Sequence, residues 1–282
     1  MPGVHVVTDS ACDLTDDLAA AAGITVVPLT IRFGDDELLD RQDLSPAQFW
    51  ERCKNSAALP QTSAPAPGAF ARAYEDAATA GADAVVCLTL SSGVSATYQS
   101  ALAGSEGLGD RVNVRVIDTR SLTMGQGLLC LSAAEAAAGG ASLDEVAAQV
   151  DDLIGRTRVF GVVASLDHLQ RGGRIGGAAA LLGSLLSIKP VIQVKDGLVA
   201  EESKQRTRTR SLEYLCGKAK TDAPLERLAI CNGAAEDIDV VVDQLADVEV
   251  AHKIVVVDLG PVVGTHAGPG TVGVCYQVHA GS

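Results

Sequence analysis

The sequence predicts an α/β protein of two domains. Residues 1–156 are expected to form a mainly parallel sheet flanked by helices, and 157–282 an α+β domain with a mixed sheet. Three observations predict this. The first half alternates short apolar runs with helical stretches, the pattern of a parallel sheet covered on both faces. Asp196-Gly197 joins apolar runs at 189–195 and 198–202, a strong signal for an antiparallel hairpin. A length of 282 residues suffices for two domains of roughly 100–200 residues each.

Residues 4–8 read as a buried strand delivering Asp9-Ser10 at its tip. Thr15, with Asp16 and Asp17, opens a helix that Gly23 stops. Residues 24–33 read as one second strand. Ser45-Pro46 with Gln48 is a capping box with proline at N1, opening a helix to about Lys54. Residues 59–68 are a loop rich in Pro, Ser and Thr, and a helix over 69–80 ends at Gly81. A strand at 84–90, the turn Ser91-Ser92-Gly93 and a helix from about Ser95 follow. A strand at 112–117 and the segment 118–127 lead into an alanine-rich helix, and Ser142 with Glu145 caps another to about Gly155.

The domain boundary is placed near Thr157. A strand at 159–164 is followed by helical stretches running on to Leu186. Past the hairpin, strands are expected at 228–231, 253–258 and 271–277, with helices at 207–218 and 237–245. Ligands of such sheets collect at the carboxyl ends of strands. Asp9-Ser10, Ser91-Ser92 and Asp118-Thr119 all sit at such ends.

Composition narrows the function classes. The chain is 47% hydrophobic but only 3% aromatic, so Ala, Val, Leu and Ile must fill its cores. Such walls suit an alkyl chain, as they suit any core. A net charge of −13 argues against nucleic acid, which demands a basic face. The seven cysteines form no C-x-x-C pair and are odd in number, poor material for a disulfide framework or a zinc site. Met1-Pro2-Gly3-Val4-His5 lacks the positive region of a signal peptide, and apolar runs fall short of the ~18–20 residues of a membrane span. The expectation is a soluble, cytoplasmic protein.

Familiar catalytic patterns fail. Gly93-Val94-Ser95-Ala96-Thr97 misses the G-x-S-x-G elbow at its last position, and there is no Walker phosphate loop. Gly268–Gly273 matches G-x-G-x-x-G in letters, without the helix and second strand that binding a dinucleotide requires. The five histidines show no metal-ligand spacing, so no metal or cofactor is expected. What remains is hydroxyl-rich and glycine-rich. Thr62-Ser63 are turn hydroxyls or ligand contacts, and Ser95 is an N-cap or a contact. Amides of the Ser92-Gly93 turn, at the positive end of a helix, would attract an anion. The glycines and proline around His266 are expected to lift its imidazole out of any regular element toward a ligand. Arg171-Gly172-Gly173-Arg174 reads as a solvated basic turn or as a docking site for an anionic partner or substrate.

Taken together, six segments resemble the DegV family. They are Thr8-Asp9-Ser10-Ala11-Cys12-Asp13-Leu14, Gln61-Thr62-Ser63-Ala64-Pro65, 91–100, 117–127, 169–177 running on to 181–190, and 260–270, in the family's order. Ala64, Ala96 and Ala267 depart from the usual Gln, Gly and Thr. The resemblance implies two α/β domains with a long-chain fatty acid, such as palmitate, stearate or oleate, between them. It implies that Thr62, Ser63, Ser92, Gly93, Ser95 and His266 surround the carboxylate, with Thr62, Ser95 and His266 the favoured contacts. It further implies a role like that of the FakB component of fatty acid kinase. Such a protein presents the acid to a separate, FakA-like subunit that makes acyl phosphate from ATP for phospholipid synthesis. Arg171 and Arg174 are then candidates for docking that subunit, transient membrane contact fits a lipid carrier, and the chain itself is not expected to be an enzyme.

Burying a sixteen-carbon tail gains on the order of 12 kcal/mol gross, at roughly 0.8 kcal/mol per CH₂. Hydroxyls, a histidine and helix amides are expected to offset the buried carboxylate without a permanent cation. The rival reading is a lipid or acyl-ester hydrolase using Ser95 or Ser92 with His266, oriented by Asp9 or Asp118.

Overall fold

A computed structural model describes residues 3–56, 59–184 and 188–280. The chain runs β1 (Val4–Asp9), α1 (Asp16–Ala21), β2 (Ile24–Val27), β3 (Thr30–Phe33), β4 (Asp36–Leu39), α2 (Pro46–Asn55), β5 (Gln61–Ser63) and α3 (Pro67–Thr79). It continues through β6 (Ala84–Thr89), α4 (Thr97–Glu106), β7 (Val114–Asp118), α5 (Thr123–Ala138) and α6 (Leu143–Arg156). Then come β8 (Thr157–Val162), α7 (Asp167–Arg171), β9 (Lys189–Lys195), β10 (Leu198–Gln205), α8 (Arg208–Thr221) and β11 (Leu225–Gly233). The last elements are α9 (Ile238–Leu245), β12 (Val255–Asp258), α10 (Pro261–Ala267) and β13 (Thr271–Val278).

The α/β class is as the sequence predicts. Strands β2-β1-β6-β7 form a parallel sheet. Every residue of β6 is buried, as a parallel strand covered on both faces requires. Strands β8 to β13 form a mixed sheet in the order β10-β9-β8-β13-β11-β12, parallel only between β11 and β12. The hairpin turn carries positive φ at both Asp196 and Gly197, the geometry of its turn type. Ser45 and Ser142 close capping boxes with Gln48 and Glu145. Helices α5 and α6 pack against both large sheets, so one apolar cluster runs from Val6 and Val86 through Leu129 and Val150 to Cys231 and Cys275.

Several elements differ from expectation. The run 24–33 is two strands in two sheets, because Pro28 has no N–H to continue a ladder. β3 pairs instead with β4 and β5 in a small antiparallel sheet. β5 lies inside the expected loop 59–68, where the ladder of β3 holds it. Helix α3 starts two residues early, with Pro67 in its first turn. After α7 the expected helix is a run of 3-10 turns over Gly176–Ser184, and the rest of that stretch to Leu186 lies outside the described residues. The glycine-rich segment before β13 holds a helix, α10, which corrects the placing of His266 outside regular structure.

Candidate functional site

The space between the small sheet, α10 and the six-stranded sheet is a largely apolar cavity of about 880 Å³, open mouth included. Its walls come from both sides of residue 157: Leu29, Leu90, Val94 and Leu122 on one side, Val159, Ile192 and Val262 on the other. Four polar side chains singled out from sequence line it: Thr62, Ser95, Arg174 and His266.

Thr62 is the middle residue of β5, opposite Ile31 of β3. Because strand side chains alternate, Thr62 faces the cavity while Ser63 is exposed on the other face. His266 stands in the last turn of α10, its Nε2 2.9 Å from Thr62 Oγ1. Gly264 lets α10 lie against the rings of Phe49 and Trp50, since a Cβ there would come within 2.7 Å of Phe49. Trp50 Nε1–H donates to Leu259 O at 3.1 Å and holds the same segment. At the helix start, Gly260 N–H donates to Asp13, which also accepts the Thr123 hydroxyl. Asp13 is a positioning residue to which the sequence assigned no role, although it stands in the Thr8–Leu14 segment that carries the resemblance.

The imidazole is half-buried. Gly172 packs so closely that a Cβ there would lie 2.3 Å from His266 Nδ1, and that nitrogen is buried with no hydrogen-bond partner among the described residues. Burial, with Arg174 and His168 nearby, pushes the His266 pKa down to about 4. The ring is therefore neutral at neutral pH. An orphan N–H is costlier to bury than an orphan lone pair, which assigns the proton to Nε2. His266 Nε2–H then donates to Thr62 Oγ1, and the Thr62 hydroxyl proton is free to point at a ligand acceptor.

Arg174 corrects the expectation of a site without a cation. It is not a freely solvated turn residue. Its Nε–H donates to Val94 O at 3.1 Å and its Nη1–H to Gly172 O at 2.6 Å, tying the serine turn to the loop beside His266. Arg171, at the end of α7, is exposed and does not line the cavity.

The serine turn divides by role. Ser91 Oγ–H donates to Gly197 O at 2.6 Å and accepts Gly93 N–H, and a Cβ on Gly93 would meet Gly197 O at 2.8 Å. Ser91 and Gly93 thus seat the β9–β10 hairpin tip. Ser92 is exposed, with its hydroxyl and its amide on Asp118. Ser92, Gly93 and Ser63 are not on the cavity wall. The amides of Ser92, Gly93, Val94 and Thr97 already have acceptors in the chain, so those four do not gather an anion as the sequence suggested. Ser95 is not the N-cap of α4, which is Ala96, but its Oγ accepts Thr97 N–H at 3.3 Å and pairs with Thr97 Oγ1 at 2.9 Å.

This arrangement is poor for hydrolysis. His266 pairs with Thr62 rather than with Ser92 or Ser95, no acid among the described residues orients its Nδ1, and its lowered basicity suits proton abstraction badly. No group of three or more His, Cys, Asp or Glu side chains able to hold a metal is found among the described residues. No helix among them is long and apolar enough to cross a membrane.

Residues 3–279 match the family described as "Uncharacterised protein, DegV family". A DegV domain-containing protein of Listeria monocytogenes is 34% identical over 281 residues, covering 98% of each chain. Among solved structures, a DegV family protein from Thermus thermophilus, described for its fatty acid binding, superposes with a TM-score of 0.90. It is 33% identical, over 98% of this chain and all of that one. A stearic acid-binding protein from Eubacterium ventriosum is 29% identical, with a TM-score of 0.87, over 97% of this chain and 98% of that one.

Proposed function

The chain belongs to the DegV family, and from that premise we propose that it binds one long-chain fatty acid and presents its carboxylate to a separate kinase subunit. The observation that carries the reading is the apolar cavity whose polar wall joins Thr62 to a half-buried, neutral His266. In this reading residues 1–156 and 157–282 are the two domains, and the acid lies between them. The tail takes the aliphatic walls. The carboxylate accepts the Thr62 hydroxyl, with Ser95 beside it and the charge of Arg174 offsetting its burial. Ser63, Ser92 and Gly93 shape the neighbouring backbone.

The partner is an ATP-dependent, FakA-like subunit, and the product is an acyl phosphate for phospholipid synthesis. This chain supplies substrate and no nucleotide site. Exposed Arg171 fits partner docking, whereas Arg174 serves the carboxylate. Native mass spectrometry of the purified protein is expected to show a bound mass near that of a C16–C18 acid. Delipidated protein that takes up no such acid would contradict the reading. With kinase subunit and ATP added, R171E is expected to lose phosphoryl transfer while keeping its acid. Equal loss of both would remove the docking role.

A further inference from the structure

The wall of the cavity formed by the six-stranded sheet has an unusual row. Gly161 of β8 is the direct cross-strand partner of Gly273 of β13. On the other side Gly161 pairs with Ile192 of β9, and Gly273 pairs with Cys231 of β11. Directly opposed residues share a face. Ile192, Gly161, Gly273 and Cys231 therefore form one row across four strands, ~14 Å long at the usual strand spacing. All four line the cavity. The two missing side chains belong to the two central strands of the sheet.

Glycine inside a central strand weakens it and marks a place where something approaches the backbone closely. Among the described residues, none crowds Gly161. A Cβ there would meet no atom nearer than Ile192 Cγ1 at 3.6 Å, and Gly161 is partly exposed although its strand is third of six. Gly273 is tighter, with Cys231 Cβ at 3.3 Å. The adjacent row, Val159 with Cys275, carries ordinary side chains and belongs to the core cluster. The sheet thus has a trough one row wide, floored by backbone and stopped by Ile192 and Cys231 at its ends.

We infer that the Gly161–Gly273 pair is the specificity element of the site: the trough seats the acyl chain and sets how long a chain the cavity accepts. This rests on the fatty-acid reading above. A side chain at Gly161 would stand in the path of any acid long enough to pass it, and leave shorter acids untouched.

The test is competition of delipidated wild type, G161A and G161V for an equimolar mixture of C10, C12, C14, C16 and C18 acids, read by native mass spectrometry. Wild type is expected to take C16 and C18. G161V is expected to lose C16 and C18 at least tenfold relative to C10 and C12, with G161A between them. The delipidated variants should melt no lower than wild type, because the added side chain favours the strand and its Cβ meets Ile192 only at ordinary contact distance. A G161V profile that matches wild type overturns the trough. A G161V that melts lower leaves the decision to G161A, where an unchanged profile overturns it equally. Wild type that takes no acid of any length defeats the fatty-acid reading itself.

Discussion

Replacing Thr62 by valine is expected to weaken binding of a C16 acid by one to two orders of magnitude while leaving the fold intact. Valine keeps the branched shape and suits β5, so the ladder to β3 survives. What is lost is one hydroxyl. It accepts from His266 Nε2 and, in the proposed complex, donates to the carboxylate. A hydrogen bond to a charged group contributes about 1.5–3 kcal/mol, or roughly 10–150-fold in affinity. The variant also strands the His266 N–H, whose Nδ1 already lacks a partner among the described residues. Serine at 62 restores the hydroxyl and is expected to recover most of the affinity. Calorimetry on delipidated protein measures both. Equal affinity for T62V and wild type would place the carboxylate elsewhere.

Thermal stability is expected to rise as the pH falls from about 7.5 to 5.5, against the common trend. Asp9 and Asp13 are fully buried, and burial pushes each carboxyl up from 3.8 to about 7. Asp40, with its residue only 1% exposed, is pushed up to about 6 for the same reason. An acid with a raised folded pKa holds a proton that the unfolded chain has released. It favours folding as the pH falls from its folded pKa toward 3.8. His266 works in the other direction, because its ring stays neutral from 6.5 down to about 4 while the unfolded chain protonates, and burial lowers His5 in the same sense. Three acids outweigh these two histidines. At 1.36 kcal/mol per proton and pH unit, the net gain is on the order of 1–3 kcal/mol per unit near pH 6. That is a rise of several degrees at about 2–4 °C per kcal/mol. Scanning calorimetry from pH 8 to 5 checks it. D13N, which keeps the acceptor for Gly260 N–H, should flatten the slope. A melting point that falls steadily with acidification would mean these carboxylates stay ionised.

Much of the fold was legible because it rests on local signals. The capping boxes at Ser45 and Ser142, the Asp196-Gly197 turn and the buried run 84–89 each name their own structure. What escaped depends on distant partners. β5 is three residues in a proline-rich stretch, and only the β3 ladder makes it a strand. Helix α10 looks like a glycine loop until the rings of Phe49 and Trp50 are set against Gly264. The site follows the same rule. Motif resemblance set Thr62, Ser95 and His266 together, and all three line one cavity. That Ser92 turns to Asp118, that Arg174 faces the cavity and that Asp13 braces α10 are facts of packing.

The most direct measurement is a crystal structure of the protein with bound palmitate. Unbranched density is expected to begin within hydrogen-bond distance of Thr62 Oγ1 and to run over the backbone of Gly161 and Gly273. Density elsewhere on the molecule, or side chains closed over that sheet with no room for an alkyl tail, would contradict it.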